Sequence, residues 1–532
     1  MEKLKNRLPL AAAAIFATLG LVTVIYYIIY PSAAYFHADC SDTLLWAQAS
    51  YDGKAVFNPD FGYAAMLPVG GATLMLPFIG IFGVSVTTHH IGLVLFTLIL
   101  FASVLFLCRS ADFSWSLSLF TVGLLSLTAA SSEKMREIFY EHVIYYSICV
   151  LAFCLVTAFC LRCFKKHENA KSAKGALVYG ALALVTSIVF ALDGAQVVAM
   201  SIMPVAFALV CEMIFSKEKL ISKANALPFF YCLTLGAGSL LGISILSVIS
   251  NGVEAGYAGA YMSYSNTDEW INNLEKLPEA WCRLFGFDAH YGMSILSPES
   301  IVNIFRLAAA LVVALVPVVC LIFINKFDRA SRIIILSHFG MTGVIIFGYV
   351  FGILSLAAWR LSPIICTGVI VCAVAARKAF KFITLRRVAA VACAGMTAFS
   401  CISAKTIMEM PKNGLEQNRY YHIAQFLDEN GLNYGYATFW NGQCISVLSD
   451  FEVRAANTDI NEHGITPCRY QSNMNWFEPV EGVDRYFLLL SAHEIDTLRT
   501  TEDWHYIQND VIETLEYDGF TVFVFGNTDF LN

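Results

Sequence analysis

The chain has 532 residues, of which 57% are hydrophobic and only 14% charged, with a formal net charge of −7. Soluble domains carry about 25% charged residues, so this composition excludes an ordinary soluble fold and points to a chain that crosses lipid repeatedly. The charge is divided: residues 404–532 hold 7 Lys/Arg against 20 Asp/Glu, while the rest holds 27 against 21 in short loops rather than on one face, which excludes a nucleic-acid partner.

The N-terminus is basic (Lys3, Lys5, Arg7) and leads into an apolar run from Pro9 to Tyr30. That run is longer than the roughly 7–15 residues of a cleavable signal segment, so it reads as an uncleaved first span. Ten more runs can cross a bilayer, which takes about 20 apolar residues. They lie near 85–108, 115–131, 143–164, 176–191, 195–215, 228–250, 301–325, 333–357, 362–376 and 388–403.

Residues 64–83 (AAMLPVGGATLMLPFIGIFG) form a further apolar stretch, and the basic residues decide its status. The N-terminal tail, Arg109 and the loops 165–175 (Lys165, Lys166, Lys171, Lys174), 216–227 (Lys217, Lys219, Lys223), 326–332 and 377–387 hold 19 Lys/Arg. The opposite loops before residue 404 hold six. All the basic loops fall on one face only if 64–83 does not span. The expectation is therefore an α-helical polytopic membrane protein with about eleven transmembrane helices and 64–83 re-entrant or interfacial. Lys/Arg-rich loops stay cytoplasmic. The N-terminus is thus expected in the cytoplasm, and the acidic C-terminal part outside the cell membrane that the chain crosses. The domains expected are 1–403, transmembrane with long outer loops at 31–84 and 251–300, and 404–532. In the latter, an amphipathic stretch at 415–430 and the apolar runs YGYATFW, CISVL, RYFLLL and FTVFVF predict a small α+β domain.

Most of the 16 cysteines lie in spans, where they act as small apolar residues. Cys40, Cys282, Cys444 and Cys468 face outward, and an oxidising exterior permits a Cys444–Cys468 bond without establishing it. There is no phosphate-binding glycine loop and no strong metal-ligand spacing, so no cofactor is expected; a divalent metal is not indicated.

Three places could carry chemistry. Asp39 and Asp42 stand three apart where the chain leaves the first span, with Trp46 following in SDTLLWAQASYDGK. A carboxylate there can act as general base, and it equally fits a solvated start to an exterior loop. In SSEKMREIFYEHVIYY, Glu141 and His142 abut the fourth span, and Glu137 lies four residues before Glu141; acids at a helix start also fit the helix dipole. In AAWRLSPIICTGV, Arg360 is the single basic residue of a short outer turn. It can hold an anion through its guanidinium fork, or snorkel to headgroups. His89 and His90, at the outer end of the second span, fit a metal role or, better, interfacial packing, and Asp193 a functional role or a tight turn.

These stretches together resemble the GT-C class of membrane glycosyltransferases. SDTLLWAQASYDGK followed by FGYAAMLP is similar to that class's acidic, Trp-Ala and proline-rich stretch in the first outer loop. WRLSP is similar to its late Arg-aromatic-x-x-Pro motif, with Arg360 at the arginine and Pro363 at the proline. Here the two acids are separated by Cys40 and Ser41, and Leu361 stands where the aromatic would be. The resemblance implies transfer of a sugar from a polyprenyl-phosphate donor to an extracytoplasmic acceptor (protein, lipid or envelope glycan). Asp42 would be the base, with Asp39 and Glu141 as further catalytic candidates. Arg360, His142, Trp46 and Tyr63 would bind substrate. The competing classes are a transporter or flippase and a non-catalytic envelope-assembly protein. Against transport stand the lack of inverted repeats and the scarcity of ionisable residues deep in the spans.

Overall fold

A computed structural model describes residues 2–142, 146–168, 173–216, 218–219, 222–223, 225–256, 263–353, 357–461, 464–501 and 503–531. The expected start of the fourth span at 143–145, and the loop residues Lys171 and Lys217, lie outside them. Among the described residues, ten helices are long and apolar enough to cross a membrane, from Arg7–Ile29 to Ile383–Met408. The expected span at 115–131 is shorter: the Trp115–Thr128 helix stops, and Glu133–Glu141 resumes at 117° to it. Counted as one, the bent pair makes eleven. The break has a local cause. Ser132 adopts extended backbone and its hydroxyl accepts from the Met135 N–H at 3.2 Å, so it starts a new helix rather than continuing the old one. Residues 68–82 form a π-helical turn and a seven-residue helix, Leu76–Phe82, too short to span.

The chain divides into two compact units. The first comprises residues 1–27, 95–246 and 259–410 and contains most of the helical bundle. Small residues set its closest approach. A Cβ on Gly20 would stand 2.2 Å from Ser126 Oγ, and one on Gly123 would stand 2.9 Å from the Phe16 carbonyl. The backbones of the first span and the Trp115–Thr128 helix meet through glycine, as lipid-embedded helices commonly do. At the basic end of this unit, buried Glu212 receives a bidentate pair from Arg332, Nε at 2.6 Å and Nη2 at 2.7 Å.

The second unit comprises residues 28–94, 247–258 and 411–532. Its centre is a six-stranded sheet in the order β3-β2-β1-β4-β6-β5. The strands are β1 (Tyr434–Ala437), β2 (Arg454–Asn461), β3 (Gly464–Pro467), β4 (Tyr486–Ser491), β5 (Val511–Tyr517) and β6 (Phe520–Phe525). β1 runs parallel to β2 and β4; β3, β5 and β6 join antiparallel. β4 is apolar on both faces because both are covered. Phe487 and Leu489 pack with Ile423 and Leu427 of the Arg419–Glu429 helix, while Leu488 and Leu490 pack with Ile495, Leu498 and Ile507. Gly435 is required in β1, since a Cβ there would lie 2.3 Å from the Phe487 ring. The α+β expectation holds for this part of the chain. Of the four apolar runs, CISVL supplies the short helix Ile445–Leu448. Cys444 and Cys468 are both free thiols, and Cys40 and Cys444 are buried.

The first outer loop is built into this second unit. The Gly62 N–H donates to the Ser472 carbonyl at 3.0 Å, and the Gln471 N–H returns to the Gly62 carbonyl at 2.7 Å. Asn418 donates to the carbonyls of Ala33 and Phe36, both at 2.8 Å.

Candidate functional site

The Asp42 side chain stands on the Ala38–Gly53 helix. His37 starts that helix from extended backbone, its Nδ1 accepting from the Asp39 N–H at 3.3 Å. Lys54 ends it in the left-handed region, φ 48°. The helix is apolar or small almost all round and is buried on most of its surface, which carries Asp42 inward with it. Asp42 is 5% exposed. The solvated-loop alternative for this acid therefore does not describe it; Asp39, half-buried, comes closer.

Burial, then the neighbouring Asp39 charge, push the Asp42 carboxyl well above the ordinary carboxylate range, and the nearby Gln471 amide works against them. Asp42 Oδ1 has no hydrogen-bond partner among the described residues. Beside it, Trp46 Nε1 donates to Gln471 Oε1 at 2.5 Å. The indole fits because residue 71 is glycine: a Cβ there would be 2.3 Å from Trp46 Cε3. Tyr63 meets the Trp46 ring edge-on at 5.8 Å and is ringed by Phe57 and Phe61. Its hydroxyl accepts from the Asn58 N–H at 2.9 Å, and burial pushes it up to about 12. Tyr63 is thus a buried packing residue of the same cluster, and Asp42, Asp39, Trp46 and Tyr63 all belong to the second unit.

Glu141, His142 and Arg360 belong to the first unit. Glu141 ends the bent Glu133–Glu141 segment and is 3% exposed. Burial raises its carboxyl to about 8; the Tyr27 hydroxyl donates to it, opposing that rise, while the Glu137 charge adds to it. Arg136, also buried, stands over the Tyr27 ring at 5.3 Å and donates to the Ala130 carbonyl at 3.4 Å. Burial acts to raise Glu137 as well, but hydrogen bonds from His142 and Lys134 prevail and hold it at about 2. His142 Nε2 stands 3.6 Å from Glu137, so it pairs with that acid.

Arg360 lies in a single 3₁₀ turn, Ala358–Leu361, immediately before the Ser362–Ala379 helix that Pro363 opens. It is half-buried, its Nη1 donating to the Gly348 carbonyl at 3.3 Å and its guanidinium facing the Tyr146 hydroxyl. Lys134 Nζ lies 5.1 Å from the centre of the adjacent Trp359 ring, bringing a second cation to the turn. Asp193 is 2% exposed at the break before Gly194, whose φ is +86°; His89 is buried with its ring edge-on to Phe36 at 5.1 Å.

Sequence reasoning missed Gln471, Tyr27 and Arg136. Arg136 was in plain view between two acids. Tyr27 could have been suspected as a polar side chain inside a span. Gln471 carries no local signal, since its partner Trp46 is 425 residues away.

Two solved structures are similar along nearly the whole chain. ArnT from Cupriavidus metallidurans in the apo state is 11% identical with a TM-score of 0.48, the match covering 97% of this chain and 98% of that one. The same protein bound to undecaprenyl phosphate is 12% identical with a TM-score of 0.48 and the same coverage. A likeness that shallow carries no argument about chemistry. No protein-family model matches the chain, and no curated protein matches its sequence.

Proposed function

We propose that this protein is a membrane glycosyltransferase that moves a sugar from a polyprenyl-phosphate donor to an acceptor outside the cytoplasm, with Asp42 as the general base. The observation that carries the reading is the state of Asp42: a carboxyl buried in the first outer loop, with one oxygen left without a partner among the described residues. Most buried polar atoms are satisfied, and an exception calls for an explanation. A carboxyl raised above its ordinary range is a stronger base than an ordinary carboxylate, and the oxygen without a partner among the described residues is where an acceptor proton would be received. Attack by the deprotonated acceptor on the anomeric carbon, from the face opposite the lipid phosphate, would expel that phosphate with inversion.

Arg360 supports the donor side. Its turn gathers a guanidinium, Lys134 and the start of a helix, all of which favour an anion such as a lipid-linked phosphate. The lipid tail would lie among the spans, in the bilayer. No nucleotide sugar is required. The orientation proposed, N-terminus in the cytoplasm and Asn532 outside, follows the basic loops.

The test is sugar transfer in membranes supplied with polyprenyl-phosphate-linked donors. General-base catalysis contributes about 10²–10⁴-fold, so Asp42→Asn should lower turnover by that much at unchanged expression. Full turnover by Asp42→Asn would overturn the assignment of the base. If Glu141→Gln and Asp39→Asn were also fully active, the enzyme reading would fall with it.

A further inference from the structure

Gln471 lies in a loop between β3 and β4, yet its backbone is held in the left-handed region at φ 58°. A non-glycine residue keeps such a conformation only where its surroundings over-determine it, and positions of this kind cluster at functional sites. The surroundings here do so. The Gln471 N–H donates to the Gly62 carbonyl at 2.7 Å, and its own carbonyl accepts from Gln443 Nε2 at 3.1 Å and Asn457 Nδ2 at 3.3 Å. Asn457 in turn donates to Gln443 Oε1 at 2.7 Å, locking the two amides together.

The side chain is equally constrained. An indole N–H can only donate, so the 2.5 Å contact from Trp46 settles which end of the Gln471 amide is the oxygen. The Nε2 end is left as a donor. It is fully buried, and neither it nor Asp42 Oδ1 has a close hydrogen-bond partner among the described residues. Trp46 is one helical turn beyond Asp42, so its grip brings the Gln471 donor close to the Asp42 carboxylate, where burying either group alone is costly.

We propose that Gln471 is the positioning residue for Asp42: Trp46 grips its carbonyl oxygen, and the amide N–H so oriented donates to the Asp42 carboxylate and fixes where that carboxylate points. The proposal rests on the reading of Asp42 as the base, and it gives the C-terminal part of the chain a task within the site of the first outer loop. It also accounts for three polar side chains, Gln443, Asn457 and Gln471, that would otherwise be buried to no purpose.

The environment of Asp42 makes the effect readable. The charged group acting on it is Asp39. Among the described residues, the elements packed most closely on its helix are the π turn Pro68–Thr73, the Leu76–Phe82 helix and the turn Phe439–Gly442, and none of these three carries an ionisable side chain. In the Gln471 loop, Arg469 is turned to Glu254 at 3.0 Å. Loss of the donor from Gln471 should thus show directly in the titration of Asp42. A donor to the carboxylate favours its charged form, so removing the donor moves the midpoint up.

The experiment is an infrared pH titration of the full-length protein in lipid nanodiscs, with the Asp42 carboxyl band isolated by subtracting the spectra of Asp42→Asn. Gln471→Met keeps the length of the side chain and removes the donor; the midpoint should rise by about one pH unit or more. Trp46→Phe keeps the amide but frees it, and should give a smaller rise. Gln471→Glu keeps the oxygen that Trp46 grips and places a second carboxyl beside Asp42, which should split the band into two coupled steps. Should Gln471→Met fail to yield folded protein, Gln471→Glu and Trp46→Phe decide. Midpoints unchanged from wild type in the folded variants would overturn the proposal. The band reports on the pair without any sugar transfer, so failure of the base assignment shows in turnover and failure of the positioning role shows here.

Discussion

Asp42 and Glu141 are both buried acids on short segments beside the spans, and burial raises both. They differ in what surrounds them. Glu141, in the first unit, takes a hydrogen bond from Tyr27 with Arg136 close by, so its burial is compensated. Asp42, in the second unit, keeps an oxygen with no partner among the described residues. Burial and a shifted carboxyl do not by themselves mark a catalytic group, because a satisfied acid can be a structural tie. The unsatisfied oxygen separates the two cases.

That comparison can be broken most directly by exchanging what each acid loses. Asp42→Asn should lower turnover by about 10²–10⁴-fold while leaving thermal stability unchanged or higher, since it removes a desolvated carboxyl. Glu141→Ala should do the reverse: it leaves the Tyr27 hydroxyl and Arg136 short of a buried partner, at about 1–3 kcal/mol of stability, read by thermal unfolding in nanodiscs. If Asp42→Asn instead destabilised the protein and Glu141→Ala chiefly abolished transfer, the two roles would be interchanged.

Next in size is the donor turn. Arg360→Lys keeps the charge and loses the fork, and should weaken binding of a polyprenyl-phosphate sugar by roughly ten- to a hundredfold, measured by ligand titration. Unaltered affinity in Arg360→Ala would make the residue a membrane anchor.

The pH dependence of stability is a finer probe. A carboxyl at about 8 in the folded protein binds a proton more tightly than in the unfolded chain, whose value is near 4.5. Its contribution is complete below 4.5 and is lost as pH rises through about 8. Melting temperature should therefore fall across that window, and Glu141→Gln should flatten the fall. Glu137, held at about 2, acts with the opposite sign and only between about 2 and 4.5, where stability is lost on acidification. The smallest effect expected is that of Asp39→Asn. It removes one like charge from Asp42 and should alter turnover by less than about tenfold, with the acid limb of the rate profile moved to lower pH.

The spans were legible because a run of about 20 apolar residues has few other uses. The break after Thr128 was not, because Ser131 and Ser132 are small and do not interrupt an apolar pattern; only the capping geometry at Ser132 reveals it. CISVL could not be assigned to strand or helix from its sequence, because a short apolar run suits a strand or a buried helical turn equally. β2 was missed because RAANTDIN is polar, its buried members being Ala455, Ala456, Asn457 and Thr458. Asp42 stood out through the Trp46-Ala47 that follows it. Its neighbour Gln471 could not, because contacts between residues hundreds of positions apart are set by the folded register and leave no periodic trace.

The second unit is assembled from three stretches of chain, 28–94, 247–258 and 411–532. A ribosome delivers the first of these before most of the spans and the last after them. The stretch around Asp42 must therefore wait while most of the spans are made behind it. Long-range closure of this kind is slow and leaves an incomplete surface exposed meanwhile. A chain cut short after Met410 would insert its helices and still lack the partners of Trp46 and Gly62. Quality control at the membrane could thus tell a finished molecule from an unfinished one by the state of its first loop.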